Sequence, residues 1–179
     1  MTGNPAVRIE TLKREHRPLL RQFRNQKSSL VEYLQRFALR HLEKDLLSRT
    51  YLAIESREGN ERVAGYFSLA TVSIDRSTVG DIAGLSKLPR FPIPGVLLAR
   101  LAEDERAQGQ GLDRYMFEEA LGLVLELAVS GPVGFRVFVT DAIDEDAARF
   151  YERFGLVRLS ATFPARMVLD IKALLATSE

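Results

Sequence analysis

The sequence predicts one α/β domain on a mixed sheet, and three observations carry that prediction. Two β-rich runs in the first half are separated by a short turn and read as a hairpin. Apolar strands and helical patterns then alternate in the order β–α–β–α–β. No repeat or linker divides the 179 residues, a length within the usual ~100–200 of a single domain.

Composition narrows the class further. Hydrophobic residues make up 46% and charged residues 27%, which excludes disorder as a description of the whole chain. The 25 basic and 24 acidic residues leave a net charge of +1, so local placement must hold any anionic ligand. With no cysteine, disulfides, thiolate zinc sites and a catalytic thiol are excluded. His16 and His41 are too few for a His-rich metal site, so no metal is expected. No run approaches the ~18 apolar residues of a spanning helix. The N-terminus shows no basic segment followed by an apolar core, and a cytoplasmic protein is expected.

Val7 to Leu12 alternates weakly and reads as an edge strand. Ser29 with Glu32 forms a capping-box pattern. Leu30, Tyr33, Leu34, Phe37, Ala38, His41 and Leu42 then recur at helical spacing, predicting one buried face with His41 at its rim. Thr50–Ile54 and Val63–Val72 are the hairpin strands, joined through Arg57-Glu58-Gly59-Asn60. Residues 74–94, with three prolines and two glycines, read as a long loop of the kind that is functional or disordered. Val96–Ala102 is an apolar strand, Leu112–Val129 a long helix and Phe135–Val139 another strand. Asp144 caps a short helix running to Phe154, and Gly155 stands at its left-handed C-cap. Leu156–Leu159 and Met167–Ile171 supply the last strands.

The most informative stretch runs from strand Val96–Ala102 through Glu103-Asp104-Glu105-Arg106-Ala107-Gln108-Gly109-Gln110-Gly111 into a helix. Glycines at 109 and 111 let backbone N–H groups close on a ligand oxygen. The helix start adds unpaired amides and the positive end of its dipole, so the nest suits a pyrophosphate. On the glycines alone, a plain strand-to-helix turn is the alternative. A Walker loop is excluded because no Gly-Lys-Ser/Thr follows, and Arg114 stands where a Rossmann third glycine belongs.

Arg106-x-x-Gly109-x-Gly111 resembles the acetyl-CoA signature of the GNAT superfamily of N-acetyltransferases. Asp144-Glu-Asp-Ala-Ala-Arg-Phe-Tyr-Glu-Arg-Phe-Gly-Leu156 resembles that superfamily's helix before the penultimate strand. Ser48–Tyr51, Val63–Ala70, Phe91–Ala102 and the segment from Ser29 resemble the GNAT toxins of type II toxin–antitoxin systems, so the likeness spans roughly residues 23–171. It implies a GNAT-like fold over residues 1–179. Its central, mostly antiparallel sheet would be splayed between strands at about 96–102 and 135–140 and flanked by helices. It implies acetyl-CoA as co-substrate, aminoacyl-tRNA as acceptor of an acetyl group on its α-amine, a block of translation, and a ribbon-helix-helix antitoxin as partner. A homodimer is compatible with it.

By the same resemblance, Leu101 and Ala102 offer backbone groups to pantetheine, and an N–H there polarises the thioester oxygen. Arg106 and the amides of Ala107, Gln108, Gly109, Gln110 and Gly111 hold the pyrophosphate. Asp113 stands where such proteins commonly carry glycine and is expected to point outward, with Arg114 nearer the phosphates. Tyr151 is the candidate acid for the leaving thiolate. Ala147, Phe150 and Phe154 are expected to pack inward beside it, and a core tyrosine is the alternative. The acidic run Glu103–Glu105 reads as a solvated strand end, and no general base is assigned. Arg76, Lys87 and Arg90, with Arg49 and Arg100 behind them, are candidate contacts to tRNA phosphates. Two other readings stay open: the same catalyst acting on a small-molecule or protein amine, and a catalytically silent acyl-CoA-binding module.

Overall fold

The computed structural model describes residues 6–82 and 84–177. The chain divides into two compact units: the chain up to Ala70 with Arg100–Leu121, and Thr71–Ala99 with the chain from Gly122 onward.

In the first unit, β1 (Ala6–Thr11) pairs antiparallel with β2 (Arg49–Arg57), which pairs antiparallel with β3 (Asn60–Ile74). The predicted hairpin is present. Its turn residues Glu58 and Gly59 have φ of 50° and 80°, the left-handed pair that matches the twist of the strands. Opposite Ala53 and Ile54 the register skips Ala64, a bulge that inserts one extra residue. Ala64 accepts a backbone hydrogen bond from Asp104 at 2.7 Å.

Between β1 and β2 lie α1 (Arg17–Leu20), α2 (Ser28–Glu32), a π-turn (Tyr33–Phe37) and α3 (Ala38–Glu43). Two expectations are corrected here. The capping box of Ser29 and Glu32 does not form, because the helix begins two residues earlier and its cap position is Lys27, without a side-chain bond. Asn25 Oδ1 accepts from the Lys27 N–H instead, at 2.8 Å. Phe37 is not on the buried face but 39% exposed. The wider π-turn offsets the helical period, so Tyr33, Leu34, Ala38 and Leu39 are the buried set. They join Leu12, Leu20, Phe23, Leu52, Ile54, Val63, Tyr66 and Ala102 in one core. His41 is half-buried at the rim.

β4 (Ile93–Glu103) and α4 (Leu112–Ser130) are both longer than predicted and pass through both units. In the second unit β4 pairs in parallel with β5 (Val137–Ala142) over Gly95–Leu98. Phe135 is not in β5, which starts two residues later, after the irregular stretch from Gly131. β7 (Ala165–Asp170) pairs antiparallel with β5 and with β6 (Val157–Arg158). Among the described residues the strand order is β1-β2-β3-β4-β5-β7-β6, the mixed seven-stranded sheet with flanking helices that the sequence predicts.

Two short helices complete this unit. α5 (Glu145–Glu152) is capped as predicted, with Asp144 Oδ1 accepting from Ala147 N at 2.9 Å and Gly155 at φ 87°. The predicted strand ends at Asp170 because Asp170 caps α6 (Ile171–Ala176), a helix the pattern did not reveal. Asp170 also takes a two-pronged bond from Arg136 at 2.7 and 2.9 Å. The loop after β3 is packed. Val79 and Leu85 are buried in a core with Ile74, Ile93, Val137, Val139 and Val168.

Candidate functional site

The glycine loop is fixed from beneath by one carboxylate. Asp104 is fully buried. Its Oδ1 accepts from the backbone N–H and Nε of Arg106 at 3.0 and 2.7 Å, and from Nη1 of Arg62 at 3.4 Å. Its Oδ2 accepts from the Arg24 N–H and from Arg106 Nη2, both at 2.9 Å. Burial pushes this carboxyl's pKa up, but the bonds from Arg106 and from the Arg24 and Arg106 amides outweigh it and hold it below the usual range. Arg62 also bonds to the buried Glu55. The acidic run is therefore not a solvated strand end. Its middle residue is a structural hub, because it faces three chain segments that all present donors.

Above the hub the loop is open. Ala107 is buried and its N–H returns to the Asp104 carbonyl at 2.8 Å, while Gln108, Gly109, Gln110 and Gly111 are exposed. Gly109 and Gly111 both have φ of 75°, and a Cβ at either would meet nothing within 4 Å. Glycine is needed there for the backbone conformation, and the space a side chain would take at either position is open.

The start of α4 is held by Glu103, whose Oε1 accepts from the Asp113 N–H at 2.9 Å. Burial raises the Glu103 pKa, the Asp113 charge adds to this, and the amide bond opposes both. Asp113 is half-buried, with Oδ1 on the Arg114 N–H at 2.7 Å. Arg114 is exposed and bonds Glu118 one turn along at 2.8 Å. Arg106 spends Nε and Nη2 on Asp104, and Nη2 also reaches the Gln22 carbonyl at 2.9 Å. Leu101 is half-buried and Ala102 buried at the end of β4.

In the second unit Tyr151 lies on α5, 8% exposed, with Phe150 edge-on at 5.2 Å. The inward pattern differs from expectation. Ala148 and Tyr151, three apart, are the buried residues of α5, while Ala147, Phe150 and Phe154 are half-buried. On the long loop Arg76 is half-buried and donates to the carbonyls of Ser86 and Leu88. Lys87 and Arg90 are exposed. Arg49 is exposed on β2, and Arg100 stacks on the Tyr33 ring at 3.6 Å. Sequence reasoning missed the Asp104 hub, and Arg24, Arg62 and Glu55 carry no local signal for it.

Among the described residues no helix is long and apolar enough to cross a membrane, and no group of three or more His, Asp or Glu side chains is placed to hold a metal ion. No family model matches the chain. It is 32% identical over 152 residues, 84% of each chain, to the tRNA-acetylating toxin of Mycobacterium tuberculosis (strain ATCC 25618 / H37Rv). Its fold is similar to AtaT complexed with acetyl-methionyl-tRNAfMet, with a TM-score of 0.83 and 24% identity over 97% of this chain and 100% of that one. It is similar also to a Tyr-to-Phe mutant of the AtaT toxin bound to the C-terminus of the antitoxin AtaR and acetyl-CoA, with a TM-score of 0.75 and 22% identity over 97% and 99%. The fold is thus the one the resemblance implies, and the chain belongs to the tRNA-acetylating toxins of the GNAT superfamily.

Proposed function

We propose that this chain transfers acetyl from acetyl-CoA to the α-amino group of aminoacyl-tRNA in the cytoplasm, and so blocks translation. The observation that carries the reading is the open glycine loop anchored on buried Asp104 at the head of a 19-residue helix, in a chain similar to a tRNA-acetylating toxin. Residues 1–179 act as one N-acetyltransferase domain in this reading, with a ribbon-helix-helix antitoxin as protein partner.

The amides of Gln108 to Gly111, with the dipole of α4 behind them, would hold the pyrophosphate, because N–H groups and the helix dipole both favour negative charge there. The Ala107 amide, expected among them, is taken by the Asp104 carbonyl. Arg106 adds charge at the loop while its bonds to Asp104 keep the loop in shape. Arg114 adds a second charge on the first turn of α4. Backbone groups of Leu101 and Ala102 would bond pantetheine, and an N–H there would polarise the thioester carbonyl. The neutral amine nitrogen attacks the carbonyl carbon, the C–N bond forms and the C–S bond breaks. The Tyr151 hydroxyl protonates the leaving thiolate, and the amine's surplus proton goes to water. An α-amine of pKa about 8 is sufficiently neutral at physiological pH for this to run without a dedicated base. Lys87 and Arg90 are the proposed contacts to tRNA phosphates. Arg76 is a weaker candidate because its donors are on the loop's own carbonyls.

The test is transfer of labelled acetyl to charged tRNA, with a free amino acid amide and uncharged tRNA as comparison acceptors. The charged tRNA should be acetylated in strong preference, and added salt should depress the rate steeply through counterion release. Tyr151→Phe should keep the fold and acetyl-CoA affinity while turnover falls by about 10²–10⁴-fold, the loss expected for a positioned acid. An amide acetylated as well as tRNA, with little effect of salt, would instead support a small-amine acetyltransferase. Binding of acetyl-CoA without turnover on any amine would support a silent module.

A further inference from the structure

Arg100 is a cation that neither the loop hub nor the proposed acid accounts for. It lies on β4 between Leu98 and Ala102, which share its face by strand alternation and are both buried. Its guanidinium sits 3.6 Å from the centre of the Tyr33 ring. Tyr33 is pinned from behind, with its hydroxyl 2.9 Å from Ser48 Oγ and 3.2 Å from Thr50 Oγ1, and Thr50 Oγ1 is 2.8 Å from Ser68 Oγ. Tyr66 stacks on Tyr33 at 6.1 Å and donates its hydroxyl proton to the Leu30 carbonyl. The two rings form a fixed platform whose own polar groups are satisfied.

The guanidinium's fork is not satisfied in the same way. Among the described residues no carboxylate pairs with Arg100 and no acceptor takes its N–H donors, although Arg62, Arg106, Arg136 and Arg166 all have carboxylate partners. The titratable groups that face it are the phenols of Tyr33 and Tyr66, with His41 edge-on to Tyr33 at 5.6 Å. Burial pushes the Tyr66 phenol up, so it stays neutral. Glu103 is on the opposite face of β4 and bonds the Asp113 amide. A half-buried cation without a counter-ion is costly, and stacking on one ring offsets only part of that cost.

We infer that Arg100 is the positioning residue for the acceptor: its free fork donates to the ester carbonyl of the aminoacyl group, and its fixed charge keeps the adjacent α-amine neutral. This rests on the acetyl transfer proposed above. The ester carbonyl carbon is bonded to the same carbon as the amine, so a guanidinium on that oxygen brings its charge within about 4–6 Å of the nitrogen, the range at which a like charge disfavours the ammonium form. The pyrophosphate loop sits at the end of the strand beyond Ala102, and Glu103 turns from it toward α4. On its own face Arg100 is half-buried between the buried Leu98 and Ala102, so its guanidinium is the group there that the other substrate can reach. The charge raises the share of amine that is neutral before attack, and the proton released on attack still goes to water.

The experiment is the pH dependence of kcat at saturation for the parent, Arg100→Gln and Arg100→Lys on charged tRNA, with acetyl-CoA affinity measured by calorimetry on each. In Arg100→Gln the rising limb should move to higher pH by on the order of one unit, with acetyl-CoA affinity unchanged. Arg100→Lys should keep the parent limb, because the charge remains, while KM for charged tRNA rises because the fork is lost. A limb in Arg100→Gln that superimposes on the parent's overturns the inference. So does a limb in Arg100→Lys displaced from the parent's by on the order of one unit, and this decides the matter even if Arg100→Gln fails to fold. Acetyl-CoA affinity lost in both variants overturns it too, by placing Arg100 with the co-substrate. A parent inactive on charged tRNA overturns the function reading itself, which an active parent with an unmoved limb leaves standing.

Discussion

The loop from Asp104 to Gly111 and the loop from Asp75 to Pro92 carry similar residues, arginines set among glycines, yet they are held by different physics. The first rests on a buried carboxylate that gathers donors from Arg24, Arg62 and Arg106, and its exposed glycines sit above that anchor. The second is plugged by two apolar side chains, Val79 and Leu85, and stapled by Arg76 to the carbonyls of Ser86 and Leu88. A loop that binds through its amides must leave some of them unspent, and here the Arg106 and Ala107 amides go to the Asp104 anchor while the exposed stretch from Gln108 to Gly111 lies beyond it. A loop that binds through side chains must leave cations unspent, and here Lys87 and Arg90 remain exposed while Arg76 is consumed.

The contrast breaks most sharply at Asp104. Asp104→Ala leaves Arg62 and Arg106 facing a buried cavity without their shared carboxylate, and should cost about 3–5 kcal/mol in urea unfolding, the range for a broken buried pair. Asp104→Asn keeps the volume, and should raise the KM for acetyl-CoA more than it lowers kcat. Equal stability of Asp104→Ala and parent would reduce the hub to a surface feature. The pH profile sharpens the same point. Because the folded pKa of Asp104 is depressed, its contribution is present above the unfolded value of about 3.9 and is lost as pH falls through the lower folded value. Thermal scans from pH 6 downward should show the parent losing stability over that acid range more steeply than Asp104→Asn.

On the other loop the effects are smaller and of another kind. Replacing Lys87 and Arg90 together with glutamate should spare acetyl-CoA binding and weaken tRNA acetylation, with the salt slope falling by about one per cation removed. Arg76→Gln should leave that slope in place and cost roughly 1.5–3 kcal/mol of stability, the range for hydrogen bonds to a charged group. If the Arg76 variant changes the salt slope and the double variant does not, the assignment of staple and contact is reversed.

The sequence displayed the parts whose signal is local. The Glu58-Gly59 turn, the Asp144 cap, the Gly155 C-cap and the spacing of Gly109 and Gly111 each need only neighbours within a few residues, and each appears where predicted. The hub was hidden because Asp104 collects donors from residues 80 and 42 positions away, so adjacent Glu103 and Glu105 made it look solvated. Phe37 misled because a π-turn leaves the apolar period unchanged to the eye while it rotates the next helical turn about the axis. Arg76 looked like its exposed neighbours because the carbonyls it binds have no side-chain signature. Helix α6 was missed because one capping aspartate followed by a few apolar residues also reads as a strand end.

The central claim is that the amides around Gly109 and Gly111 hold the pyrophosphate of acetyl-CoA, and calorimetry on Gly111→Glu tests it most directly. Glutamate forces a side chain into a backbone conformation at φ 75° and puts a carboxylate where phosphate oxygens belong. Acetyl-CoA and acetyl-pantetheine, which lacks the pyrophosphate and nucleotide, are titrated into the folded parent and variant. The account predicts that Gly111→Glu loses the affinity that separates acetyl-CoA from acetyl-pantetheine, and that acetyl-pantetheine binds parent and variant alike. Unchanged acetyl-CoA affinity in the folded variant would contradict it.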